Sequence, residues 1–89
     1  MELEWDEDKR QKTLRERGMD FADVVRFQFE QQYTSEDDRA IYGERRFVST
    51  GYLDGRLCVL CWTQRGTIVR VISLRKANER EQKIFRGNA

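Results

Sequence analysis

Two turn signals, Asp54-Gly55 and Arg65-Gly66, divide residues 45–75 into three strand-like runs. The runs are "RRFVSTGYL", "RLCVLCWTQ" and "TIVRVISLR". Asp-Gly between two apolar-patterned runs is a strong hairpin signal. Strands separated by turns this short form an antiparallel meander, and the rest of the chain has to be arranged around it.

Upstream, "LEW" at residues 3–5 reads as a short first strand. Asp6 suits a helix N-cap, with Glu7 and Asp8 in the first turn where the helix dipole favours acids. A helix from about Asp6 to Arg17 should end at Gly18, a good C′ residue. Leu14 is its only large apolar side chain, so it is expected on the surface, anchored by Trp5 and Met19 at its ends. Asp20 looks like a second N-cap. Phe21, Val24, Val25 and Phe29 then follow at helical spacing, so "DFADVVRFQFEQQ" reads as an amphipathic helix. The polar stretch "YTSEDDRAIYGE", residues 33–44, reads as a loop. Downstream of the meander, Asn78 and Glu81 form a capping-box pattern at the start of a last helix, from which Ala77, Ile84 and Phe85 can face the sheet. The expected order is β-α-α-β-β-β-α. It describes an α+β domain with N-terminal helices, an antiparallel sheet of three to four strands and a C-terminal helix.

The chain has 89 residues and no obvious linker, so one domain, residues 1–89, is expected. A domain of this size buries only a modest share of its surface, yet 2 Trp, 5 Phe and 3 Tyr can seed one core. No apolar run approaches the roughly 18 residues of a membrane span. The N-terminus "MELEWDEDKR" has neither a basic n-region nor an apolar h-region, so a signal peptide is not expected and a cytoplasmic location is.

The net charge of +1 hides a split. Residues 1–44 carry 7 basic and 13 acidic side chains, whereas residues 45–89 carry 10 basic and 3 acidic. A one-signed half is a candidate footprint for a polyanion. It would equally meet an acidic protein partner, or the acidic half of its own fold.

There is no histidine. The commonest general base near neutral pH is therefore missing, and with it Ser-His-Asp and Cys-His nucleophiles. Cys58 and Cys61 form a lone C-x-x-C. In a strand, residues three apart point to opposite faces, roughly 10 Å apart, which is too far for a disulfide. No second pair exists to complete a zinc site. Two buried strand cysteines are expected, with no metal and no cofactor.

The basic residues around the last strand remain. Strict alternation puts Val69, Val71, Ser73 and Arg75 on one face and Ile68, Arg70, Ile72 and Leu74 on the other. Arg70, flanked by apolar neighbours, is expected to be partly buried and paired with an acid. Arg75 and Lys76 stand where strand turns into helix, a natural place to offer cations to a phosphate. RNA supplies its own nucleophile, the 2′-hydroxyl, so positioning and charge stabilisation would suffice without histidine. The plainer alternative is that Arg75 and Lys76 are surface charges lying near acids of the first helices.

The pieces also resemble a known family. "EWDEDKRQKTLRERGMDFADV" resembles a W-D-x-x-K opening that leads through a helix and a K-H-G turn to a second helix beginning with Phe. "ERRFVSTGYLDGRLCVLCWTQRGTIVRVISLRKANERE" resembles an E-R-F strand, an R-L-x-V-V-x-T-x-R-G hairpin and an R-I-I-S-A-R-K-A-T-x-x-E-R signature. In the signature, Arg70, Ser73, Arg75, Lys76, Ala77 and Glu81 match in register. These are the motifs of the BrnT family, the toxin half of a type II toxin–antitoxin pair.

The resemblance implies a RelE-like ribonuclease toxin that blocks translation. It implies a BrnA-type antitoxin with a ribbon-helix-helix DNA-binding domain, a heterotetramer of two toxins and two antitoxins, and operator contact through the antitoxin. Arg75, Lys76, Arg70 and Arg65 are then expected to hold the scissile phosphate. Arg17, Arg46, Arg80 and Phe85 are expected RNA contacts, and Gly18, Asp20, Asn78 and Glu81 structural residues. The chain departs from the family at Arg17 (His in the family), Phe85 (commonly Tyr) and Thr13 (frequently Asn). Arg17 is a poor general base because of its high pKa, and Phe85 has no hydroxyl. A weakened toxin that only binds its antitoxin, or an RNA binder without cleavage, is the alternative.

Overall fold

The structure is a computed structural model that describes residues 1–38, 41 and 43–87. In chain order it contains β1 (Glu2–Trp5), α1 (Glu7–Arg17), two 3₁₀ segments (Phe21–Arg26 and Phe29–Gln31), β2 (Tyr33–Glu36), β3 (Phe47–Leu53), β4 (Arg56–Arg65), β5 (Ile68–Lys76) and α2 (Glu79–Gly87). The expected RelE-like layout is matched only in outline. The sheet has five strands in the order β1-β5-β4-β3-β2, and it is mixed, because β1 pairs parallel with β5.

The extra strand, β2, falls within the stretch expected to be a loop; residues 39, 40 and 42 of that stretch lie outside the described residues. All four β2 residues are exposed, so no apolar alternation marks the strand. It forms through its partner. Tyr33–Glu36 pairs antiparallel with Phe47–Thr50, and the Thr34 and Ser49 hydroxyls share a 2.7 Å hydrogen bond.

The meander forms at its two turns. Asp54 and Gly55 both have positive φ (51° and 80°), which the type I′ hairpin between Leu53 and Arg56 requires. α1 begins where the Asp6 carboxylate accepts from the Lys9 N–H, and ends where Gly18, at φ 67°, donates to the Leu14 carbonyl. No α1 residue is buried.

The stretch read as a second α-helix is 3₁₀ instead. Phe21, Val24 and Phe27 are the residues it buries, and they recur every third position. That is the 3₁₀ period, and it stacks all three on one edge. Val25, assigned to the same face by an α-helical reading, is 52% exposed. This edge fills the core against one sheet face, where Leu53, Cys58, Leu60, Val71 and Leu74 are buried and Leu3, Trp5 and Trp62 pack around them. Gly51 makes the closest approach. A Cβ there would stand 2.9 Å from the Phe27 ring, so glycine lets the ring lie on β3.

A β-bulge overturns the simple alternation of β5. Up to Trp62↔Val71 the ladder with β4 is regular; beyond it Cys61 faces Ser73, which leaves Ile72 as an extra residue. The core face therefore carries Val69 and Val71 and then Leu74, all buried. Leu74 was expected on the other face, and Arg75 on the face of Val69 and Val71. The register shift moves Lys76, not Arg75, opposite Cys58.

Candidate functional site: a cation pocket beside the last helix

The sequence-derived cations do not converge on one place. Arg65, Arg70 and Arg46 belong to a chain of alternating charges. Glu4 of β1 lies 3.3 Å from Arg65 and 3.4 Å from Arg70, and Glu44 lies 3.4 Å from Arg65 and 3.6 Å from Arg46. Strand pairing sets this up, since Glu4 stands directly beside Arg70 in the parallel ladder. Much of the basic half thus meets the acidic half of its own fold, the third option that the charge split leaves open.

Arg75 is engaged differently. Its two terminal nitrogens donate to the two Glu81 carboxylate oxygens, each at 2.7 Å. Glu81 also accepts from the Asn78 N–H, while Asn78 Oδ1 accepts from the Glu81 N–H. The capping box of α2 is therefore bolted to β5. The Arg75 guanidinium holds the Glu81 carboxyl well below the usual range, down to about 2, with the Asn78 bond adding to the effect. Asp20 behaves similarly at the other end of the chain. It accepts two bonds from Arg10 and one from the Ala22 N–H, and Arg10 is the main cause of its lowered pKa.

Lys76 is where a site opens. With Arg56 and Arg86 it lines a pocket of about 390 Å³, completed by residues that include Tyr52, Leu57 and Gln82. No carboxylate lines it. Among the described residues neither Arg56 nor Lys76 forms an ion pair, and Arg86 donates to the backbone and side-chain oxygens of Gln82 on its own helix. Burial pushes the Cys58 thiol up; Arg56 and Lys76 pull it back, and Asp54 adds to the rise. Arg56 and Lys76 also line an adjoining pocket with Asp20, Asp23 and Asp54, but three cations around one concave surface without a carboxylate in its lining are suited to a phosphate or a similar anion.

Three elements position these cations. Arg56 is the first residue after the Asp54-Gly55 turn, Lys76 ends β5 after the bulge, and Arg86 sits one helical turn beyond Gln82. Arg56 and Arg86 were missed by the sequence reading. The hairpin signal next to Arg56 was legible, but its approach to Lys76 depends on the bulge.

The remaining residues lie elsewhere. Arg17 donates to the Leu74 carbonyl at 2.9 Å. The bond falls on the part of β5 beyond the reach of β1, whose pairing stops at Trp5↔Val71. Arg17 also lines a second groove, of about 260 Å³, with Lys9, Lys12, Thr13 and Ser73. Phe85 packs edge-on against Tyr52, with ring centroids 5.7 Å apart. Arg80 is exposed on α2. Cys58 and Cys61 are both free thiols, the first facing the core and the second the opposite side of the sheet. Among the described residues, no group of His, Cys, Asp or Glu side chains could hold a metal ion, and no helix is long and apolar enough to cross a membrane.

A family model described as "Ribonuclease toxin, BrnT, of type II toxin-antitoxin system" matches residues 5–81. The chain belongs to the BrnT family. No curated protein matches it. The matched span runs from Trp5, at the end of β1, to Glu81, the partner of Arg75. Membership makes the chain a ribonuclease toxin with an antitoxin partner.

Proposed function

We propose that this BrnT protein is an endoribonuclease toxin whose scissile phosphate sits among Arg56, Lys76 and Arg86. The observation that carries this reading is the pocket itself. It joins a cation of the signature stretch to two others with no carboxylate in its lining; the aspartates of the adjoining pocket, Asp20, Asp23 and Asp54, are paired with Arg10 and Arg26, and Arg65, Arg70 and Arg75 already have carboxylate partners.

The chemistry follows from the residues available. The RNA 2′-oxygen attacks the adjacent phosphorus and the P–O5′ bond breaks. This leaves a 2′,3′-cyclic phosphate on one fragment and a 5′-hydroxyl on the other. Negative charge builds on the non-bridging oxygens as the attack proceeds. Arg56 and Arg86 donate hydrogen bonds to them, and Lys76 adds a compact positive charge. The 2′-hydroxyl proton leaves to water, and the departing 5′-oxygen takes one from water. No metal is required. Arg75 is a positioning residue, since through Glu81 it fixes the helix that carries Arg86.

In this reading the toxin acts in the cytoplasm, where cutting RNA blocks translation. Its antitoxin is of the BrnA type, with a ribbon-helix-helix domain. Two toxins and two antitoxins assemble, and the antitoxin makes the operator contact.

A second reading is favoured by one observation. Arg17, at the position where the resemblance implies a His, is hydrogen-bonded to the Leu74 carbonyl, and Phe85 offers no hydroxyl. Such a chain would bind RNA and leave it whole. Incubating purified chain with a fluorescent single-stranded RNA decides between them. Cleavage to cyclic-phosphate ends that is lost in Arg56→Ala/Lys76→Ala supports the nuclease. Salt-dependent binding without cleavage supports the second reading. Cleavage unchanged by the double substitution overturns the pocket as the site.

A further inference from the structure

α2 has two flanks, and only one faces the cation pocket. Gln82 and Arg86 line that side. On the other side Glu81, Ile84 and Phe85 line a groove of about 140 Å³ against Tyr33 and Ser35 of β2 and Val48 and Thr50 of β3. The Glu81 carboxylate is taken up by Arg75, so what the groove offers a visitor is aliphatic and aromatic surface with a few hydroxyls. Two of its large apolar side chains are open to water, Ile84 at 54% and Tyr33 at 57% exposure. A lone exposed apolar residue is ordinary. Here they share one groove, across α2 from the three cations of a pocket that no carboxylate lines.

We propose that this groove is the antitoxin's docking site, and that the bound segment carries apolar side chains into the groove and acidic side chains across α2 onto Arg86, Lys76 and Arg56. The inference rests on the cation pocket being the RNA site. Charge complementarity selects the occupant. RNA would match the cations but not the apolar groove. An isologous pair of this chain across the groove would set two cation pockets side by side, at a repulsive cost. A protein segment with apolar anchors beside acids satisfies both flanks, and the neutralising partner of a type II toxin is a protein. Such docking blocks the phosphate pocket by occupying it, with no rearrangement of the sheet.

The test uses the full chain and its purified antitoxin. Affinity is measured by calorimetry and RNA cleavage by the fluorescent assay, for the unmutated chain, Ile84→Glu and Tyr33→Glu. Both side chains lie outside the cation pocket and are more than half exposed. Each substitution is expected to weaken antitoxin binding at least tenfold while the free chain's handling of RNA stays unchanged. If Ile84→Glu loses helical circular dichroism, Tyr33→Glu on β2 carries the test alone. Antitoxin affinity unaltered in every folded variant overturns the proposal. So does a chain that is dimeric alone and becomes monomeric with Ile84→Glu, because the groove is then a self-interface. Failure of the RNA-site reading is separately visible: Arg56→Ala/Lys76→Ala would leave RNA handling unchanged whatever the groove variants do.

Discussion

Arg75 grips Glu81 through two 2.7 Å hydrogen bonds, and Glu81 at the same time caps the helix that carries Arg86. One carboxylate therefore joins β5 to α2. Its ordinary value is 4.5 and its folded value about 2. A lowered carboxyl pKa stabilises the fold above the unfolded value, and that stabilisation is lost as pH falls through the folded one. The unmutated chain should exceed Glu81→Gln in stability by about 1 kcal/mol near neutral pH, a figure kept small because both side chains are partly solvated. The difference should shrink between pH 4.5 and 2. Urea unfolding of both proteins across that range measures it, and a gap that does not change with pH would refute the assignment.

Gly51 is required by Phe27. The added methyl of Gly51→Ala meets the ring at 2.9 Å and 3.2 Å, and Phe27 is only 4% exposed, so the ring has little room to withdraw. Destabilisation of about 1–3 kcal/mol is expected from such overpacking. A shift in the urea midpoint without a change in slope would register it.

Arg17→Ala tests whether Arg17 is a structural residue. Losing the bond to the Leu74 carbonyl should lower stability by about 1 kcal/mol. Thermal unfolding would reveal this; an unchanged midpoint would mean that water replaces Arg17 without loss.

RNA affinity should sort the cations by their partners. Removing Arg56 or Lys76, which have no ion pair among the described residues, should weaken single-stranded RNA binding and flatten its salt dependence by about 0.7 per lost phosphate contact. Arg65→Ala, whose side chain lies between Glu4 and Glu44, should leave the salt slope where it was. Anisotropy titrations at several salt concentrations compare them directly. Equal slopes for all three variants would remove the distinction between paired and unpaired cations.

The sequence alone determined the local structure: α1 from Asp6 to Gly18, the hairpin at Asp54-Gly55 and the Asn78–Glu81 capping box. Each depends on side chains and backbone preferences within a few residues, so its physics is local. The tertiary structure decided the rest. β2 has no apolar pattern and exists because β3 offers it a partner. Phe21, Val24 and Phe27 follow a three-residue period that fits their seat on the sheet better than an α-helical one. The bulge at Ile72 had the largest consequence for the site. One unpaired residue exchanged the faces of Arg75 and Lys76, sending one cation to Glu81 and the other into the pocket with Arg56 and Arg86. Strand alternation has a period of two, so a single extra residue reverses every side chain beyond it. Nothing in "VRVISLRK" marks where that residue falls, because the register is set by β4 across the ladder and by the core that Leu74 has to reach.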